Sequence, residues 1–338
     1  MSPTVRRGLL LGITAVSLYL LAPTLWNVFG SFPQLADFSP LWFASMLLLQ
    51  IGSYGCMWAV QRLALRTDEW GPVVTSQLAS NAFGRIVPGG VAAAGALQYS
   101  MLVNAGVPAT RAASAMTASS VLVFGILLAL PLLALPAIVG GAPVDRGLEN
   151  ATIAGAVLFV FIAAGGAVAF ATDRPLRVAG HAAQTVRNRV LRRREPLRDL
   201  PQRLLRERDQ VRRTLGRHWW QALLLASGRW VLDYLTLLAA LTAVGADPRP
   251  SLVLLAFCAA QILGTLPLTP GGLGFVEAGL TGTLALAGVS GGRAVVATLA
   301  YRLVSFWLPI PAGGVAGVIH RRRYGSLEDR DEEASGGG

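Results

Sequence analysis

The sequence predicts an all-α integral membrane protein with about six full spans and two re-entrant broken-helix hairpins arranged as an inverted repeat. Three observations carry that expectation. Of the 338 residues, 53% are hydrophobic and only 14% charged, with a mean hydropathy of +0.54, against about 25% charged in a soluble domain. The apolar run from Leu252 to Ala287 holds Leu266-Pro267-Leu268-Thr269-Pro270-Gly271-Gly272-Leu273-Gly274-Phe275-Val276-Glu277. Proline removes a helical amide donor and glycine costs helix stability, so this stretch cannot be one regular helix. A backbone broken at membrane depth is tolerated only where protein buries it or it lines a wet cavity. Finally, the same break occurs a second time, earlier in the chain.

The elements follow in order. Gly8 to Phe29 is an uncharged run behind Arg6 and Arg7; it is too long for a signal-peptide core and reads as an uncleaved first span. Leu41 to Ala64 is the second span, flanked by Arg62 and Arg66. Val73 to Gly106 is apolar apart from Arg85 and is broken by Pro88-Gly89-Gly90. Ala112 to Val139 and Ala151 to Ala171 are the third and fourth spans. Trp219 to Val244, with Arg229 and Asp233 inside it, is the fifth. The broken segment 252–287 follows, and Ala294 to Ile319, carrying Arg302, closes on Arg321-Arg322-Arg323. Residues 1–323 form one transmembrane domain. Residues 324–338, acidic and then Gly-rich, are expected to be a disordered tail.

Charge placement sets the expected topology. All 29 basic residues are arginines, and 14 of them fall between Arg174 and Arg217 against four acids. Cytoplasmic loops hold the arginine excess, so the N-terminus, the 174–218 loop and the C-terminus are expected inside a plasma membrane. If both broken segments crossed fully, that loop would face outward. The first is therefore expected to enter and leave from the inner side and the second from the outer side. The +11 net charge thus follows topology and is no nucleic-acid signal. A structural partner role for the loop is the weaker alternative to a solvated anchor.

A shift of 182 residues superimposes the two breaks without a gap. Pro88-Gly89-Gly90 falls on Pro270-Gly271-Gly272, Ala105-Gly106-Val107 on Ala287-Gly288-Val289, and Arg111-Ala112 on Arg293-Ala294. The first repeat spans about 41–139 and the second about 219–320. In inverted-repeat transporters, paired discontinuous helices meet near the midplane and form the substrate site. Arg85, Arg229, Asp233, Glu277 and Arg302 are the ionisable groups expected inside the bilayer. Each costs roughly 2.5–3.5 kcal/mol at a helix centre and so needs a partner or a wet cavity. Arg229 and Asp233 are spaced to pair on one helix face, and Glu277 and Arg302 to pair between elements. Three arginines against two acids leave one positive charge, which together with helix N-termini favours an anionic ligand.

Other chemistries lack their residues. No metal-spaced His/Cys cluster and no phosphate-binding Gly loop occurs. Cys56 and Cys258 sit in apolar runs, so no disulfide is expected. His181, His218 and His320 lie in or beside basic loops and are expected at the surface. No cofactor, no metal and no enzymatic activity are expected.

Thr269-Pro270-Gly271-Gly272-Leu273-Gly274-Phe275-Val276-Glu277-Ala278-Gly279, followed by Tyr301-Arg302-Leu303 and Phe306-Trp307-Leu308-Pro309, resembles the lysylphosphatidylglycerol synthase transmembrane, or flippase-like, family. Gly84-Arg85-Ile86-Val87-Pro88-Gly89-Gly90 resembles its first-half motif. The resemblance implies movement of an aminoacylated or glycosylated lipid between leaflets, and it marks Arg85, Pro88, Gly89, Gly90, Pro270, Gly271, Gly272, Glu277 and Arg302. Gln98 stands where the family pattern implies an acid. No counterpart of the soluble synthase domain of some members is expected within these residues. The expected function is a lipid flippase or transporter for an anionic or modified lipid. A non-transporting partner of an envelope glycosyltransferase or synthase, and an ion-coupled small-solute transporter, are the alternatives.

Overall fold

The computed structural model describes residues 39–87, 90–131, 216–265 and 270–325, with scattered positions between 164 and 209. The expected spans Gly8–Phe29 and Ala151–Ala171, the corner residues Pro88 and Gly89, most of the 174–218 loop and the tail from 326 lie outside them. Among the described residues every regular element is helical. They are α1 (Pro40–Leu65), α2 (Gly71–Ile86), α3 (Gly90–Asn104), α4 (Ala109–Ala129), α5 (Trp219–Ala243), α6 (Pro250–Thr265), α7 (Phe275–Leu286), α8 (Gly291–Arg302) and α9 (Pro309–Tyr324). A 3-10 turn (Pro270–Gly272) joins α6 to α7, and a π turn (Leu303–Trp307) joins α8 to α9.

Four of these stretches are long and apolar enough to cross a membrane: α1, α4, α5, and α8 with α9 as one 34-residue run. They coincide with the second, third, fifth and last expected spans. The two broken segments are helix–break–helix units, α2 with α3 and α6 with α7, whose arms pack on each other. Their arms run to 16, 15, 16 and 12 residues, so each rises at most about 24 Å, short of a bilayer core of about 30 Å.

The matched glycines end these units in the same way. Gly106 (φ 88°) and Gly288 (φ 93°) both take the left-handed conformation that terminates a helix, which glycine adopts without steric cost. The hydrogen bonds match at the same offset. Val107 N–H donates to Leu102 and Val289 N–H to Leu284; Gly106 N–H donates to Val103 and Gly288 N–H to Ala285. Leu102 and Leu284 are both fully buried, as are Ala112 and Ala294 at the head of the following helix.

One hydrophobic core holds α1, α4, α5, α6, α7 and α8 together. Small residues allow the close approaches, as expected where helices pack in lipid. Gly52 of α1 lies against Leu232, Gly228 of α5 against Cys56, and Gly313 of α9 against the backbone of Leu78. Prolines explain the π turn. Pro309 and Pro311 have no N–H, so the carbonyls one turn upstream lose their donors and the helix rewinds through Leu308 N–H to Leu303 O.

His320 corrects the expectation of a surface histidine. It is 2% exposed, with Nδ1 2.7 Å from the Thr75 hydroxyl and Nε2 3.0 Å from the Met101 carbonyl. α9 continues past the apolar run and carries its last turn against α2 and α3, which buries the ring. His181 and His218 are exposed. In the Arg-rich segment, Arg208 pairs with Asp173 at 2.5 Å and Asp209 at 2.9 Å. The Arg208 hydrogen bond holds the Asp173 carboxyl below its ordinary range, and the same bond raises the guanidinium.

Candidate functional site

The ends of α2 and α8 converge with the 3-10 turn and the start of α7. Arg85 stands in the last turn of α2 and Arg302 ends α8. Both approach the ring of Phe306, with the Arg302 guanidinium 4.1 Å from its centroid and the Arg85 guanidinium 4.9 Å from it. Each contact of a guanidinium with the ring is worth up to about 2 kcal/mol when desolvated. Arg85 also donates Nη1 to the Phe306 carbonyl and Nη2 to the Tyr54 hydroxyl at 2.8 Å.

Arg302 is 7% exposed and meets Glu277 through Nε at 2.7 Å. The other Glu277 oxygen accepts from Gly274 N–H at 2.7 Å. Glu277 thus sits in the first turn of α7, reaching back to the N-cap amide as the acid of a capping box does. It is also favoured there by the helix dipole. The expected Glu277–Arg302 pair is formed. Gly271 closes the floor: its carbonyl accepts from Arg302 Nη2 at 3.4 Å, and its φ is 60°. A Cβ at Gly271 would stand 2.5 Å from Phe306 Cε2 and 3.2 Å from the Arg85 carbonyl. The end of α2 therefore meets the second break, and it does so where only glycine fits.

Asp233 and Arg229 part company. No direct ion pair joins them: Asp233 turns toward α6 and α8, while the Arg229 guanidinium stacks 3.9 Å from the Trp230 ring and leaves Nη1 without a partner among the described residues. Asp233 accepts from Tyr301 Oη at 3.1 Å and from Gln261 Nε2 at 3.2 Å, and Gln261 also bonds Tyr301 at 2.8 Å. The carboxylate is 4% exposed and near enough to feel the charges of Arg229 and Arg85. Tyr301 precedes Arg302 in the chain, so the two clusters adjoin.

Of the residues singled out in the sequence, Arg85, Gly271, Glu277 and Arg302 form one cluster and Asp233 a neighbouring one. Pro270 and Gly272 shape the turn beneath; Gly272, at φ 71°, lies against Gly264 and Val276. Gly90 opens α3, where a Cβ would run into the Gly84 carbonyl. Gln98 joins a different group, donating to Gln61 at 2.8 Å. Sequence reasoning missed Tyr54 and Gln261, and it gave Phe306 no role in the site. Polar side chains inside apolar runs were the available signal for the first two. Among the described residues no three metal-ligating side chains converge.

Comparison with known proteins bears out the family resemblance read from the sequence. The family described as the lysylphosphatidylglycerol synthase TM region matches residues 8–313. A UPF0104 membrane protein of Methanothermobacter thermautotrophicus is 37% identical over 89 residues, 26% of this chain and 26% of the relative. Two further UPF0104 membrane proteins of that organism are 31% identical over 86 residues (25% of this chain, 26% of the relative) and 28% identical over 102 (30% and 29%). The matched stretches thus span between a quarter and a third of each relative. No solved structure matches. With the match covering most of its length, the chain is a membrane protein and belongs to the lysylphosphatidylglycerol synthase TM region family.

Proposed function

We propose that this protein moves a lipid with an anionic headgroup between leaflets, holding the headgroup at Arg85 and Arg302 while the acyl or prenyl tail stays in the bilayer. The observation that carries the proposal is the imbalance of charge where the end of α2 meets the second break. Arg302 has a carboxylate partner, whereas the hydrogen bonds of Arg85 go to two neutral oxygens, of Tyr54 and Phe306. A phosphate would offer Arg85 charge-assisted, bidentate bonds roughly twice as strong as neutral ones. Glu277 then acts as a tethered anion: it occupies Arg302 and the α7 N-terminal amide when no headgroup is present and competes for both when one arrives.

The inverted arrangement of the two broken segments is part of this proposal. α2 begins and α3 ends beside the α9 C-terminus, as Gly71 against Tyr324 and Met101 against His320 attest. α6 begins where α5 ends, and Arg293 at the head of α8 donates to the Gly245 carbonyl there. We assign the Arg321–Arg323 end to the cytoplasm by the arginine excess. The site then lies between the two faces of the membrane.

The test is exchange of an acyl-chain-labelled anionic phospholipid in proteoliposomes. Wild-type protein is expected to accelerate exchange over protein-free vesicles. Arg302→Ala and Arg85→Ala are each expected to slow it about 100-fold, since two hydrogen bonds to a charged group are worth about 3 kcal/mol together. Exchange at the protein-free rate, or exchange indifferent to both substitutions, sinks the proposal.

A further inference from the structure

Two polar stripes face each other below Arg85. On α1, Gln50, Tyr54, Trp58 and Gln61 recur at intervals of four, four and three, which sets them along one helix face. On α2, Gln77, Asn81 and Arg85 recur at intervals of four. The stripes touch at both ends: Arg85 donates to Tyr54, and Gln77 Nε2 donates to Gln61 Oε1 at 2.5 Å. Gln98 of α3 donates to the same oxygen at 2.8 Å. Gln61 and Gln77 are 1% and 3% exposed.

The stripes are under-satisfied. Gln50 Oε1, Trp58 Nε1, Gln61 Nε2 and Gln77 Oε1 are buried without a hydrogen-bond partner among the described residues, and each such group in hydrocarbon costs several kcal/mol. Exchanging amide O and N does not remove the problem. Turning Gln61 would set three amide nitrogens together, and turning Gln77 would oppose two oxygens. Donors and acceptors both remain open, all uncharged. Leu65, Val73 and Leu102, each at most 1% exposed, close the packing beyond Gln61 and Gln77 toward the Arg321–Arg323 end.

Hydroxyl groups, each donor and acceptor at once, match this lining. An ammonium would need a carboxylate, and the nearby acids are committed: Glu277 to Arg302 and Asp233 to Tyr301 and Gln261. About 12 Å of helix rise separates Gln77 from Arg85, within reach of one phosphate-linked polyol held at both ends.

We infer that the Gln61–Gln77–Gln98 group, with Trp58, is a subsite for the uncharged, hydroxyl-bearing part of a headgroup whose phosphate lies at Arg85. The substrate class is then a phospholipid bearing glycerol, inositol or sugar on its phosphate rather than an aminoacyl lipid. This rests on the transport reading only for the site's purpose. Binding alone tests the subsite itself.

The experiment compares glycerol 1-phosphate with methyl phosphate by calorimetry on the detergent-solubilised full chain. Glycerol 1-phosphate is expected to bind about 10-fold more tightly, the gain of one or two well-made hydrogen bonds. In Gln77→Met and Gln61→Met, which keep side-chain volume, its affinity is expected to fall to the methyl phosphate level. Equal affinities in wild type, no binding of either compound, or a preference that survives both substitutions overturns the inference and leaves the stripe a water track. The wild-type comparison decides the matter even if a variant fails to fold. Exchange of phosphatidylglycerol against phosphatidate then separates the two claims. Preference in binding without exchange removes the transport reading and keeps the subsite; exchange without preference does the reverse.

Discussion

Phe306 and Gly271 define the site as a pair. The ring reaches both guanidiniums because nothing larger than a hydrogen projects from Gly271, whose Cβ would fall 2.5 Å from Cε2 and 2.6 Å from Cζ. Gly271→Ala meets two costs, the ring and a φ of 60°, which is worth roughly 1–2 kcal/mol against an L-residue. The expected result is a thermal midpoint about 5 °C lower, together with loss of lipid exchange. Gly292, in the first turn of α8 with nothing within 4 Å of its Cβ position, is the control. Gly292→Ala is expected to leave the midpoint unchanged or raise it. Equal midpoints for the two variants would mean that the ring moves freely and the cradle is not tight. At Glu277 the expectation differs in sign. Glu277→Gln keeps an acceptor for the Gly274 amide but frees Arg302, so methyl phosphate is expected to bind more tightly, by isothermal calorimetry. Weaker binding would instead make Glu277 a scaffold that holds Arg302 in place.

The α2–α9 contact depends on small residues. A Cβ on Gly313 would run into the Leu78 carbonyl and the Ala82 methyl, and Gly317 lies 3.5 Å from the Ala79 methyl by the same measure. Gly313→Leu is expected to pry α9 from α2, break the His320 bonds to Thr75 and Met101, and lower the thermal midpoint by well over 5 °C. Gly314, one residue on with open space before it, is expected to accept Leu with little change. Similar losses at both positions would show that helix propensity, not contact, sets the cost. Elements of this kind were only half legible in the sequence. The breaks could be read because proline and glycine act locally, and the Glu277–Arg302 pair because lone charges in apolar runs demand partners. The π turn was hidden, although Pro309 and Pro311 were in view, because losing donors does not say whether a helix kinks or rewinds. His320 was misread because the tertiary neighbour that buries it, α2, lies 245 residues away in the chain at Thr75. Arg229 and Asp233 were spaced to pair; partners on α6 and α8 took the carboxylate.

Across the molecule, two helix–break–helix units approach each other, the end of α2 lying against the second break. The caps at Gly106 and Gly288 carry matching hydrogen bonds, yet the ionisable groups are unequal: Glu277 and Arg302 have Gly95 and Ser120 at the matching positions of the first half. The first half supplies Arg85 and the glutamines in their place. This division suits a site in which both units hold charge and the first also holds hydroxyls. It requires the units to enter from opposite sides, which a labelling experiment decides. His218 is exposed beside Trp219 at the head of α5, and Gly292 is exposed at the head of α8. In a Cys56→Ser, Cys258→Ser background, His218→Cys and Gly292→Cys are expected to react with a membrane-impermeant maleimide from opposite faces of the cell membrane. His218→Cys should react only after the cytoplasmic side is opened, because the arginine excess lies there. Labelling of both from one face would place the second hairpin on the same side as the first. The end of α2 and the second break could then still touch, but a headgroup held at Arg85 and Arg302 would reach only one leaflet. The protein would be a lipid receptor rather than a carrier.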